Sequence, residues 1–145
     1  MSGEAALDGI KVLEYGEFIA APYAAKLFAD MGADVVKIEK PGRGDKARRH
    51  GPFAGNSPHP ERSGLFLNLN TNKRGITLDI GTRTGLDMFY ELCKQADVLI
   101  ASQTPEEARR LGIDHETLRA LNPRLVVTSV TVFGHSGPYK NYRGH

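Results

Sequence analysis

Short apolar runs and amphipathic stretches alternate along this chain. Lys11-Val-Leu-Glu-Tyr15 reads as a strand, and Tyr23 to Met31 as an Ala-rich helix closed by Gly32. Ala33-Asp-Val-Val-Lys-Ile-Glu39 follows as a second strand. The chain then turns through the basic, Gly-rich loop Lys40-Pro-Gly-Arg-Gly-Asp-Lys46 into Arg48 and Arg49. Residues 50–63, rich in Gly, Pro, Ser, His and Asn, read as an irregular excursion, with order resuming at Gly64-Leu-Phe-Leu-Asn68. Gly75-Ile-Thr-Leu-Asp79 is a β-branched strand candidate, and Thr82 to Gln95 carries helical spacing at Leu86, Phe89, Tyr90 and Cys93. Ala96-Asp-Val-Leu-Ile-Ala101 is nearly continuously apolar, as expected of a strand covered on both faces. Pro105 to Leu111 predicts a short helix. Asp114 caps another running through Leu121, with Thr117 where a full capping box wants Glu or Gln. Arg124 to Val130 is the last strand.

This alternation predicts an α/β fold with a mostly parallel, open, Rossmann-like sheet, and residues 1–145 as a single unit. Helix followed by Gly32-Ala-Asp-Val-Val echoes helix followed by Gln95-Ala-Asp-Val-Leu, which supports repeated helix-to-strand turns without implying a duplicated domain. Open α/β sheets place ligands beyond the carboxyl ends of their strands, where Lys40, Arg43, Lys46, Arg48 and Arg49 crowd one loop. Such a patch attracts anions; its bland alternative is a solvated loop.

A formal charge of +2 is too mild to argue for nucleic acid. The lone Cys93 excludes an internal disulfide, suits a reducing compartment, and reads as a buried helical thiol rather than a nucleophile. No early apolar run resembles a secretion signal and no segment approaches the roughly 20 apolar residues of a membrane span, so the expected location is cytoplasmic, with no membrane partner. No pair of histidines has metal-ligand spacing, so no metal is expected.

Several segments resemble the family III CoA-transferases, which include formyl-CoA and carnitine CoA-transferases and the related α-methylacyl-CoA racemases. Leu7-Asp-Gly-Ile-Lys-Val-Leu13 matches the family's opening, and Ala20-Ala-Pro22 its small-residue-Pro helix start. Ala29-Asp-Met-Gly-Ala-Asp-Val-Val-Lys-Ile-Glu39 and Gly44-Asp45 fit as well. So do Leu69 to Asp79, Leu121-Asn-Pro-Arg-Leu125 and Phe133-Gly-His-Ser-Gly-Pro-Tyr139. The resemblance covers nearly the whole chain in order.

The resemblance implies a site for coenzyme A, presented as an acyl-CoA substrate or product, with a carboxylic acid as the other substrate. CoA carries a pyrophosphate and a 3′-phosphate, which need cations and backbone donors. Lys40 stands where the family often has Arg beside the cofactor; Lys keeps the charge without the bidentate fork. The segment Leu78, Asp79, Ile80 and Gly81 matches the adenosine contacts, Arg110 a phosphate-binding Arg, and Arg143 a basic contact near the final loop. An exposed salt bridge is the alternative for each cation. The chain departs from the pattern at Ala101-Ser102-Gln103, where Glu-Asn-Phe or Glu-Ser-Phe is common, and Ser102 takes the place of the CoA-contacting Asn. Ile19 stands where formyl-CoA transferases have Gln, which argues against formyl or oxalyl chemistry.

Transferases of this kind use an Asp nucleophile, which splits transfer into anhydride and thioester steps. By the resemblance that Asp falls downstream of Phe133 to Tyr139, beyond His145, and Asp79, Asp97 and Asp114 occupy unsuitable places. The expectation is therefore an N-terminal portion of a longer enzyme that forms interlaced homodimers, the portion alone being inactive. The racemase alternative gives His145 a proton-transfer role, since Gly144-His145 matches the first two residues of a Gly-His-Asp motif. A non-catalytic CoA-binding module is a further alternative. A nicotinamide-binding domain is the nearest rival enzyme class, with Glu39 placed like a ribose-binding acid. However, Gly16-Glu-Phe-Ile-Ala-Ala21 lacks the G-x-G-x-x-G turn, and no nicotinamide is expected. Arg43-Gly-Asp45 reads as a coincidental adhesion tripeptide.

Overall fold

The structure is a computed structural model and describes residues 5–142. Five strands form one sheet: β1 (Lys11–Tyr15), β2 (Asp34–Glu39), β3 (Arg74–Thr77), β4 (Val98–Ala101) and β5 (Val126–Ser129). Every pairing is parallel, and the order is β3-β2-β1-β4-β5. The chain builds outward from β1 to β3, then crosses to the other side of β1 for β4 and β5. That reversal puts a topological switch point between the carboxyl ends of β1 and β4.

Helices cover both faces. Alternation along β1 sends Val12 to one side and Leu13 to the other. On the first face α1 (Ala20–Asp30) lays Ala21, Ala25 and Ala29 against Val12, Val35 and Ile100; side chains this small bring the helix close to the sheet. On the second face α3 (Arg83–Gln95) and α5 (His115–Leu121) bury Phe89, Cys93 and Leu118 on Leu13, Ile38 and Leu99. Between them lie α2 (Gly64–Leu69) and α4 (Pro105–Leu111). Residues 50–63 are irregular apart from a 3-10 turn at Ala54–Asn56 and a bridge between Phe53 and Ser63.

Side chains define several helix starts. Thr82 caps α3 through the Gly85 amide, and Asp114 caps α5 through the amides of Glu116 and Thr117. Thr104 and Glu107 form a reciprocal capping box on α4, with Pro105 at its first position. Helix α1 begins three residues before the pattern suggested. Pro22 sits in its first turn, where a missing N–H breaks no intrahelical bond. The predicted strand over 75–79 ends at Thr77, so Leu78 to Gly81 form the turn that leaves the sheet. Among the described residues no helix is long and apolar enough to cross a membrane.

Candidate functional site at the carboxyl edge of the sheet

At the ends of β2 and β3 the chain makes two adjacent turns. The Leu78 amide donates to the Glu39 carbonyl at 2.9 Å, carrying the pairing of these strands one residue past β3. Asp79 then folds back: its Oδ1 accepts from the Gly81 amide at 3.0 Å, and its carbonyl accepts from Thr82 Oγ1 at 2.8 Å. Gly85 packs directly beneath, where a Cβ would lie 2.0 Å from the Asp79 carbonyl oxygen. Lys40 is exposed, and its ammonium lies 3.8 Å from Asp79 Oδ1. The structure thus brings Lys40 beside Leu78–Gly81. Ile80 turns its side chain into the core at 3% exposure, so any ligand contact it makes falls to its main chain.

The five cations of the following loop divide into different roles. Arg48 is bound to Glu39 through Nε and Nη2, each at 2.8 Å, and to Glu61 through Nη1 at 2.8 Å. Its guanidinium lies 3.6 Å from the centroid of the Phe66 ring. Burial acts to raise the Glu39 pKa, but the Arg48 hydrogen bonds, the Asp45 amide and the charges of Arg48 and Lys37 outweigh it and hold the carboxyl below its usual range. Lys46 pairs with Glu17 at 3.2 Å. Lys40, Arg43 and Arg49 keep exposed charge around a cavity of about 300 Å³. Glu39, which the rival reading places on a ribose, is committed to Arg48.

At the switch point, the β1–α1 turn is held from two sides. Ser102 Oγ accepts from the Glu17 amide at 3.3 Å, and Asp45 Oδ1 accepts from the Phe18 amide at 2.9 Å. Phe18 has φ +75°, an unfavourable conformation for a side chain of that size. Gly16 is required by close approach, since a Cβ there would meet the Ala21 Cβ at 2.4 Å. Asp45 is 1% exposed, also receives the Ala47 amide at 2.7 Å, and places Oδ2 2.7 Å from Lys37 Nζ. That last contact pairs the charges without hydrogen-bond alignment. The Arg-Gly-Asp tripeptide is therefore not displayed for adhesion.

Alternation explains how Lys37 and Glu14 come to meet. Two residues on from Val35 and Val12, they face α1 at the carboxyl end of its apolar layer. Lys37 Nζ donates to Glu14 Oε1 at 2.6 Å and to the Gly16 carbonyl at 3.1 Å. Lys73 donates to Glu14 Oε2 at 2.7 Å, to the Pro22 carbonyl at 2.7 Å and to Asn70 Oδ1 at 2.9 Å. Burial opposes the charge on Lys37, yet Glu14 and Asp45 together raise its pKa. For Lys73 burial wins over Glu14 and the pKa falls. Two lysines and two acids thus tie β1, β2, the basic loop and the start of α1 into one charge-paired cluster. Sequence reasoning gave none of the four a role in a site, Asp45 entering only through the Gly44-Asp45 and Arg43-Gly-Asp45 matches; for Glu14 and Lys37 a charged residue inside a strongly apolar strand was the available signal.

Arg110 is exposed on α4, and its charge acts on Tyr15 at the end of β1. Burial and the carboxylates of Glu17, Asp79 and Glu107 push the Tyr15 phenol up, while Arg110 opposes them. Ser102 joins β4 to β1 as a positioning side chain. Arg143 and His145 lie outside the described residues. No group of three or more potential metal-ligating side chains forms among the described residues.

The sequence model of CoA-transferase family III matches residues 7–145. The chain belongs to that family. Among similar curated proteins, the succinate–glutarate CoA-transferase of Agrobacterium fabrum is 38% identical over 141 residues, covering 96% of this chain and 35% of that protein. The succinyl-CoA:(R)-benzylsuccinate CoA-transferase subunit BbsE of Thauera aromatica is 44% identical over 123 residues, 85% of this chain and 30% of its own. A crystal structure of a CAIB/BAIF family protein from Brucella suis superposes with a TM-score of 0.88 at 36% identity, covering 99% of this chain and 38% of that one. This family III chain spans about a third of the length of such relatives.

Proposed function

We propose that this chain is the CoA-binding N-terminal part of a CoA-transferase that moves CoA between an acyl-CoA and a carboxylic acid. The observation that carries the reading is the charged carboxyl edge in a family III chain, with exposed Lys40 beside the Leu78–Gly81 turn and an exposed Arg110 on α4. Lys40, Arg110 and Arg143 contact CoA phosphates, the Leu78–Gly81 turn contacts its adenosine end, and Ser102 is a further CoA contact. Lys40 and Arg110 suit a polyphosphate: their charges are exposed, whereas the buried lysines are already paired.

Chemistry proceeds through an Asp carboxylate that lies outside residues 1–145. It attacks the thioester carbonyl and forms an anhydride as CoA leaves as thiolate. CoA then opens the anhydride, releasing the first acid and leaving CoA on the Asp as a thioester. The acceptor carboxylate attacks that thioester, and CoA returns to the acyl group of the new anhydride, regenerating the Asp. The chain's own share is to hold CoA while these exchanges occur. The complete enzyme acts as an interlaced homodimer in the cytoplasm.

The test is acyl exchange by the native protein purified from its source. With succinyl-CoA, the donor named for several relatives, and a panel of carboxylic acids, a new acyl-CoA should form with release of succinate. Deuterium incorporation at the carbon α to the thioester, without acyl exchange, would favour the racemase reading instead. CoA binding with neither reaction would leave a binding module.

A further inference from the structure

The cavity beside β2 holds charge that the site just described does not use. Four basic side chains, Lys40, Arg43, Arg48 and Arg49, and two acidic ones, Glu39 and Glu61, line its roughly 300 Å³. Both carboxylates are bound by Arg48, and the four basic side chains outnumber these two acids, so the wall keeps a net positive charge. Arg43 and Arg49 make no ion pair with a described acidic residue. Arg49 Nη2 donates to the Arg43 carbonyl at 2.7 Å, which holds the two ends of the loop together, and the remaining guanidinium donors of Arg43 and Arg49 find no partner among the described residues. Beneath them, Glu39 also accepts the Asp45 amide at 2.7 Å, so the loop is tied down at its centre as well as at its ends. Two planar, permanently charged forks on a braced loop, around an open cavity, match an oxyanion that can accept paired hydrogen bonds.

We propose that Arg43 and Arg49 form an oxyanion subsite, in the cavity that Lys40 also lines and apart from Arg110, that takes a charged end of a substrate. Two groups share this chemistry: a phosphate of CoA and the carboxylate of the substrate acid. The proposal rests on the CoA-transferase reading only for the identity of the oxyanion, not for the existence of the site.

Arginine Nε–Hε resonances of the protein distinguish the sources when pyrophosphate and succinate are titrated separately. Arg83, whose side chain is 94% exposed, serves as the internal reference. Saturable shifts at Arg43 and Arg49 with pyrophosphate assign the subsite to CoA, and saturable shifts with succinate assign it to the acid. In either case the R43Q/R49Q double variant should weaken the responding anion by roughly tenfold or more. Both substitutions are at exposed positions, so the fold is retained. Shifts that rise linearly with both anions and match those of Arg83 would overturn the subsite. A saturable site in a protein that carries out no acyl exchange would instead retain the subsite and remove the transferase reading.

Discussion

Lys37 and Asp45 meet 2.7 Å apart beneath the β1–α1 turn, and the same carboxylate holds the Phe18 amide at the switch point. A strand residue and a loop residue thereby set the position of a third segment. Replacing Lys37 by Met would leave Glu14 and Asp45 buried with less compensation, Glu14 keeping only Lys73. Lys37→Met should cost about 3–5 kcal/mol of unfolding free energy, read from urea denaturation. A loss below about 1 kcal/mol would mean the cluster is not a paired unit in solution.

Glu39 predicts the acid limb of stability. Its folded pKa is below the usual 4.5, so its contribution is present above the unfolded value and is lost as pH falls through the folded one. Thermal midpoints of the wild type should therefore decline below about pH 4.5. Arg48→Gln removes the main hydrogen bonds that hold this carboxyl down, so its decline should be shallower, starting from a lower plateau at neutral pH. Parallel curves for the two proteins would show that Glu39 is not the group titrating.

Much of this fold was legible because strand and helix periods differ. The α/β alternation, the Asp114 cap and the covered strand at Val98–Ala101 follow from local pattern. The site was less legible, since its pairings bridge distant residues. Arg48 looked like one more free cation because its partners, Glu39 and Glu61, lie 9 and 13 residues away across an irregular loop. Glu14 and Lys37 carry no signal of burial in the sequence; the packing of α1 over them and the arrival of Lys73 make that face an interior. Lys40 and Leu78–Gly81 entered as candidates through the family resemblance; the parallel pairing of β2 and β3 puts them side by side because it brings successive turns together.

Cys93 should resist thiol reagents in the native protein. It is fully buried on α3, and burial pushes its thiol up to about 12, so little thiolate exists near neutral pH. Labelling with a chromogenic disulfide should follow global unfolding in urea. Rapid labelling under native conditions would contradict the packing of α3 against the sheet.

Arg110 separates phosphate binding from a surface role. Arg110→Ala should weaken CoA binding by about 1.5–3 kcal/mol, with Arg110→Lys recovering part of the loss. Unchanged affinity in the Ala variant would remove Arg110 from the site.

Calorimetric titration of the protein with CoA, dephospho-CoA and NADH tests the central claim most directly. A CoA site at the carboxyl edge predicts saturable CoA binding, dephospho-CoA weaker by roughly tenfold, and no comparable affinity for NADH. Equal affinity for CoA and dephospho-CoA, or NADH bound as tightly as CoA, would contradict it.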